Sequence, residues 1–590
     1  MAHTALQLAP PHGTRLAALF AVNQQLNSGT NKNLNSIQAR SKKRLNSVTQ
    51  LSPKYGSLVA YATKDCPMHS SRLAIAFSAL CSLSAIAASP AKDLQITALG
   101  TYQSGLFEQS AAEIVAHDAH SQRLFVVNAA NARIDVLDIH DPAQPKLLFN
   151  IDLSAYGSGI NSVAVHQGLV AAAVENLVKT EPGKVVLMNA DGQIKAAVQV
   201  GALPDMLVFS PNGRHLLVAN EGEPSDDYLQ DPEGSVSIID LPRRLSRLTQ
   251  ANVRTADFRG FTREQLDPSV RITGPNASVA QDLEPEYITI ADNGRRAWIT
   301  LQENNAVAEL DVRRGRITAI RGLGYKDHSV AGNELDASDK DSAINIRNWP
   351  VRGLYQPDAI SSFSQRGKTY LITANEGDAR AYSGFNEETR LGNAAYVLDP
   401  TTFPDAANLK QNANLGRLTV SKAGGLNPST GTYTEIYAFG ARSFSIWSSD
   451  LKPIYDSGAQ FEQITAERSP ALFNSNHKDN SPDGRSDDKG PEPEGVTVSN
   501  LWGTDYAFIG LERFSAIMVY DLSTPKAPRF VELVSKRNAA VKPPAVEAGD
   551  LGPEGVMVIP AHRSPLPGVP LLVVGNEVSG STSLYRIDRK

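Results

Sequence analysis

Ten acidic residues recur in this sequence at fixed places relative to proline and to apolar runs, and the pattern is one that gathers cations. Five times a proline followed by an acid opens an apolar stretch: Pro204-Asp205, Pro285-Glu286, Pro357-Asp358, Pro493-Glu494 and Pro553-Glu554. After each, a second apolar stretch ends on a glutamate: Glu221, Glu303, Glu376, Glu512 and Glu577. In an antiparallel hairpin the start of the first strand lies beside the end of the second, so each pair of acids shares one end of one hairpin. Carboxylates held within a few ångström of one another resist ionisation unless cations, arginines or protons compensate. Hard divalent ions, calcium first among them, take several carboxylate and carbonyl oxygens in flexible geometry, so all ten acids are candidate metal ligands.

Arginine is the second source of compensation. Arg380 follows NEGDA, Arg485 lies in DGRSDD and Arg513 comes straight after Glu512. Each has an adjacent carboxylate as its plain partner, and a bound phosphate as the functional alternative. His328 in GYKDHS and His477 in NSNHKDN stand in long loop-like stretches, where a catalytic or metal role is open. Two further acid clusters, Asp336, Asp339 and Asp341, then Asp483, Asp487 and Asp488, lack the spacing of an EF-hand loop. The triplet Asp341-Ser342-Ala343 matches the nucleophile motif of alkaline phosphatases without their zinc-binding histidines, and reads as chance. No Gly-x-Ser-x-Gly elbow, Walker loop or dinucleotide glycine fingerprint is present, which leaves serine-hydrolase and nucleotide chemistry without support.

The elements that must position these acids are repeated. A third apolar run follows each hairpin and closes on aspartate: SVSIID at Asp240, AVAELD at Asp311, AAYVLD at Asp399, AIMVYD at Asp521 and SLYRID at Asp588. The same outline with fewer acids recurs at 112–138, 161–190 and 434–456, which makes about eight units. Short β-rich runs at this spacing, separated by Gly, Asn and Asp turns, predict an all-β fold: a β-propeller of seven or eight four-stranded blades. The last unit offers three strands, so LQITALGTYQ at 94–103 is expected to supply the outer strand and close the ring. The first strands are innermost in such a ring, and the ten acids would then surround one channel mouth. The stretches 222–235, 321–355, 377–392 and 474–492 read as loops.

Ahead of the repeats, 68–88 (MHSSRLAIAFSALCSLSAIAA) has the basic start, short apolar run and small residues of a secretory signal cleaved near Ala87 and Ala88. Residues 1–67 carry eight Lys and Arg against one acid and show no structural period, so they read as a disordered or mis-assigned leader. The expected organisation is therefore leader 1–67, signal 68–88 and one domain at 89–590, periplasmic or secreted. Both cysteines, Cys66 and Cys81, precede the domain, which excludes disulfides and thiolate chemistry from it. The acidic body argues against nucleic acid, and no stretch is long and apolar enough for a membrane span. A monomer is expected.

LEPEYITI with ITLQENNAVAELD, GLGYKDHS with LDASDKDSAINIRNWPV, YQPDAI with ITANEGDARAY, and DGRSDDKGPEPEGV with AFIGLERFSAIMVYD resemble the choice-of-anchor I family over nearly all of 94–590. That resemblance implies a secreted or surface propeller. It also implies an alkaline phosphatase label, which bacterial members often carry. Two functions follow. In the first, calcium or another divalent ion on the ten acids, with Arg380, Arg485, Arg513 and His328, hydrolyses a small phosphate ester. In the second, the domain is a non-catalytic module whose structural calcium shapes a site for an extracellular polymer or surface ligand.

Overall fold

The computed structural model describes residues 94–129 and 132–590; the leader, the signal segment and both cysteines lie outside them. The described chain is all-β, built on seven four-stranded antiparallel sheets. Sheets 1 to 4 each follow the chain without interruption. Sheet 1 holds Val115–Asp118, Arg123–Asn128, Arg133–Asp138 and Lys146–Asp152, and sheet 2 holds Ile160–His166, Leu169–Val174, Pro182–Asn189 and Ile194–Ala202. Sheet 3 holds Pro204–Phe209, His215–Asn220, Ser235–Asp240 and Val253–Asp257, and sheet 4 holds Pro285–Ile290, Arg296–Leu301, Ala306–Asp311 and Arg316–Gly322. Sheet 6 is again consecutive, with Pro493–Leu501, Thr504–Leu511, Ala516–Asp521 and Arg529–Val534.

Sheet 7 joins the two ends of the described chain. Pro553–Ile559, Leu571–Asn576 and Ser581–Arg589 pair in order, and Leu94–Gln103 adds antiparallel to the last of them as the outer strand. The expected pairing of the N-terminal strand with the last sheet is therefore present. The first strands of sheets 1 to 7 touch their neighbours in cyclic order, and that of sheet 7 touches that of sheet 1.

The middle strands alternate at period two and are apolar on both faces, because each sheet is packed from both sides. In Leu169–Val174, residues Val170, Ala172 and Val174 face sheet 1, while Ala171 and Ala173 face sheet 3. Seven separate apolar clusters result, one at each junction of neighbouring sheets, including the junction of sheet 7 with sheet 1.

Sheet 5 departs from the expectation. Its strands are Ile360–Gln365, Lys368–Asn375, Ser443–Ser448 and Pro453–Asp456, so 434–456 is the outer half of this sheet and not an eighth unit. AAYVLD at 394–399 resembles a third strand, but its Tyr396 and Leu398 pack into a separate cluster. Asp399 closes no strand and instead accepts from the amides of Thr401 and Thr402.

That cluster contradicts the reading of 321–355 and 377–392 as loops. Tyr325–Asp327, Arg352–Leu354 and Tyr437–Ala438 form a three-stranded sheet. Leu335, Trp349, Leu391, Leu418 and Ile436 pack with it into a small core outside the seven sheets. Gly- and Asp-rich composition hid these apolar residues because they are spaced over two long insertions. None of the described helices is long and apolar enough to cross a membrane.

Trp298 is 1% exposed between sheets 4 and 5, and its Nε1 donates to Ser449 O at 3.1 Å. Trp298→Ala is expected to cost about 3–5 kcal/mol of stability, measured by guanidinium unfolding; a loss below about 1 kcal/mol would contradict the packing at this junction.

Candidate functional site

Local sequence aims the acids at the axis. Proline lacks an amide to donate, and at Pro204, Pro285, Pro493 and Pro553 the pairing with the second strand shifts register within three residues. Such β-bulges redirect side chains, and the bulge holds Asp205, Glu286, Glu494 and Glu554 in turn. In two sheets glycine follows the acid for a steric reason: a Cβ on Gly495 would meet Glu554 O at 2.4 Å, and one on Gly555 would meet Glu113 O at 2.3 Å. Neighbouring first strands thus approach closely where the acids sit.

The glutamates after the second strands are placed by buried asparagines. Asn220 Nδ2 donates to Ser237 Oγ at 3.0 Å, Asn375 Nδ2 to Ser445 Oγ at 2.8 Å and Asn576 Nδ2 to Ser581 O at 3.1 Å. Each bond ties the end of a second strand to its third strand, and Glu221, Glu376 and Glu577 follow directly.

A cavity of about 210 Å³ where the first strands meet is lined by Ile114, Asn161, Asp205, Glu286, Asp358, Glu494 and Glu554, one residue from each sheet or the turn leading into it, and also by Glu221. Above it opens a wider mouth of about 470 Å³, lined by Glu113, Glu376, Glu512, Glu577, His477 and Arg513 among others. Carboxylate oxygens of Asp358, Glu376 and Glu494 lie within 4.8 Å of one another, as do those of Glu113, Glu554 and Glu577. Glu221 and Glu303 meet in a third such group with Glu284. All ten acids singled out in the sequence therefore gather at one end of the ring. Glu113, Glu284 and Glu492 join them without having been anticipated; Glu284 and Glu492 precede their prolines in LEPE and PEPE, a doubling that was a readable signal.

The cations are distributed unevenly. Glu492 lies between Lys489 Nζ at 3.4 Å, Arg513 Nε at 3.0 Å and Arg485 Nε at 2.8 Å. Burial opposes its ionisation, but these three charges outweigh burial and hold its carboxyl well below the usual range. Lys489 also reaches Glu376 at 2.9 Å, and Arg513 reaches Glu512 at 3.1 Å. His477 Nδ1 is 3.0 Å from Glu512, and Arg513 Nη1 donates to His477 Nε2 at 2.8 Å. Burial pushes that imidazole below its ordinary pKa, which favours the neutral ring these contacts require.

Arg380 is not on the open rim. It is 1% exposed, 3.1 Å from Glu284, and donates to Asp282 O at 2.7 Å. His328 lines neither the cavity nor the mouth; it is buried in the insertion core with Nδ1 at 2.6 Å from Asn333 O, and burial drives its pKa well down. The aspartate-rich loops are balanced by arginine: Arg417 bridges Asp339 at 3.1 Å and Asp487 at 2.8 Å.

Asp205, Glu286, Asp358, Glu494 and Glu554 have no ion pair among the described residues, and Glu286 Oε2 and Glu494 Oε2 are buried without a hydrogen-bond partner. Burial, reinforced by neighbouring carboxylates, pushes Asp205, Glu303, Glu376 and Glu577 up to about 7 and Glu113 up to about 8. Glu221, Glu286, Asp358, Glu494 and Glu554 lie well above the ordinary range for the same reason. The donor set is all oxygen, which suits a hard divalent cation.

The model of the choice-of-anchor I domain matches residues 113–525. This chain belongs to the choice-of-anchor I family. Two relatives of the choice-of-anchor I chain are Gigasin-3a of Magallana gigas, 32% identical over 30% of this chain and 67% of that one, and the mesenchyme-specific cell surface glycoprotein of Strongylocentrotus purpuratus. The latter is 28% identical over 48% of this chain and 39% of its own length. Among solved structures, Kuenenia stuttgartiensis hydrazine synthase covers 82% of this chain and 99% of its own at 12% identity and a TM-score of 0.42. Saccharomyces cerevisiae Sqt1 covers 83% and 99% at 8% identity and 0.40. At these scores neither likeness bears on fold or function.

In metal chelator the choice-of-anchor I domain keeps protons on these acids that the unfolded chain has already lost. The folded state therefore binds more protons, and stability is lost as pH rises from the ordinary carboxylate value of 4.5 through about 7 to about 8. Melting temperature in chelator is expected to fall steadily between about pH 5 and about pH 8; a flat or rising profile would contradict the raised values.

Proposed function

We propose that this choice-of-anchor I protein is a non-catalytic extracellular or surface module, a seven-bladed β-propeller whose acidic channel mouth holds calcium and thereby shapes a binding site for an extracellular ligand. The blade reading rests on seven four-stranded sheets whose first strands touch in cyclic order. The extracellular reading is supported by family membership and by the name of the Strongylocentrotus purpuratus relative. One observation carries the calcium reading: five carboxylates, each from a different sheet, share one cavity without a cationic partner among the described residues.

Phosphate-ester hydrolysis is less well supported at this mouth. It needs guanidinium groups to steady phosphoryl oxygens, yet Arg380 is buried on Glu284, and Arg485 and Arg513 are both held by Glu492. A phosphate would also enter a field dominated by carboxylates.

Full-length protein is expected to melt several degrees higher in calcium than in chelator, because an ion bound only by the folded state stabilises it. Glu494→Gln should reduce that gain, and a generic phosphomonoester should show no turnover. Unchanged melting with calcium would remove the metal reading; turnover that is lost in Arg513→Ala would restore the hydrolase.

A further inference from the structure

Two glutamate triads occupy corresponding places in the ring. Each combines the glutamates that follow the second strands of two consecutive sheets with the glutamate that precedes the proline opening the later sheet. Glu221, Glu303 and Glu284 meet between sheets 3 and 4, and Glu376, Glu512 and Glu492 meet between sheets 5 and 6. In both, one carboxylate oxygen per residue lies within 4.8 Å of the other two. The geometry repeats, but its compensation does not.

The chain itself balances the second triad. Lys489 touches Glu376 and Glu492, Arg513 touches Glu492 and Glu512, and Arg485 touches Glu492. Three cations face three acids. The first triad has the same acids and, among the described residues, only Arg380 as an ion-pair partner, its Nη2 3.1 Å from Glu284. Its Nη1 donates to Thr273 Oγ1 at 3.1 Å. Lys489 stands three residues before Glu492, whereas the residue three before Glu284 is the neutral Gln281, and its amide donates to Asp231 O at 2.8 Å. The other cations of this corner are engaged elsewhere: Lys179 on Glu223, and Arg271 on Glu387 and on the backbone oxygen of Glu303.

Glu284 is 1% and Glu303 5% exposed, and Glu284 Oε1 and Glu303 Oε2 have no hydrogen-bond partner. An unpaired buried carboxylate is costly, and three acids against one guanidinium fall short by the charge of one divalent ion. We infer that Glu221, Glu284 and Glu303 bind a calcium-class cation of their own beside the channel cavity, which Glu221 also lines, in the role that Lys489 and Arg513 fill for the second triad. The oxygen-only, side-chain-flexible donor set suits calcium better than the strict octahedron of magnesium. This inference rests on reading the acidic face as cation-binding and assigns a second site on it.

Equilibrium dialysis of the full-length protein with calcium chloride tests it. Glu303→Gln is expected to bind one calcium fewer per chain than the parent, Glu494→Gln to lose a different one, and the double variant to lose both. In chelator Glu303→Gln should melt at or above the parent, since it removes a repelling charge; Glu221→Gln provides the same two readouts. Full parental stoichiometry in both Glu303→Gln and Glu221→Gln, with loss in Glu494→Gln, would overturn the triad alone. No calcium bound by the parent would overturn the triad and the channel reading together. Failure of both triad variants to fold in chelator would also overturn the triad, because a site with surplus negative charge cannot depend on keeping it.

Discussion

Bringing seven first strands to one axis forces their leading side chains into a small shared volume. The chain places acids there, and the cost of burying like charges together governs the rest of this end of the molecule. It accounts for carboxyl groups held far above their ordinary pKa, as at Glu286, Asp358, Glu494 and Glu554. It also explains why every arginine and lysine near the mouth is drawn into an ion pair. Seven apolar junctions supply the stability that tolerates such a centre, since each sheet is buried on both faces by its neighbours.

Compensation is local, and it divides the ring. Around Glu492 the loop that precedes sheet 6 contributes Lys489 and Arg485, and Arg513 follows the next second strand, so Glu492 is held ionised and its neighbours are ordered by the protein's own charges. At the Glu221, Glu284 and Glu303 triad Arg380 alone, among the described residues, makes an ion pair, and protons or external ions must do the rest of that work. One repeated backbone thus carries two electrostatic environments: lysine stands three before Glu492 and Arg485 and Arg513 join it, whereas glutamine stands three before Glu284.

The insertions extend this division. Residues 376–442 leave sheet 5 after its second strand and return for its third, enclosing a core around Trp349, Tyr396 and Leu418. On the way out, Arg380 passes over Glu284, Tyr382 donates to Glu223 at 2.9 Å, and Gly384 N bonds Asp226 O at 2.7 Å. The strap from 380 to 384 therefore crosses from sheet 5 to the loops of sheets 3 and 4, so the added core is anchored beside the under-compensated triad.

Much of this organisation was legible in the chain itself. Hairpin periodicity, the proline-acid openings and the glutamates after second strands are local features, dictated by strand alternation and by proline's missing amide, and they determined the all-β sheets, the closing strand at 94–103 and which ten acids share one end. The extra unit at 434–456 and the supposed third strand at 394–399 misled because an apolar run looks the same whether it joins a sheet or a separate core. Only the tertiary structure decided which acids are neutralised from within. Lys489 and Glu376 are 113 residues apart, and Arg380 and Glu284 are 96 residues apart in a chain whose repeats make many such pairings equally plausible on paper. Charge balance is settled by distance in space, and sequence spacing carries that distance only within a hairpin.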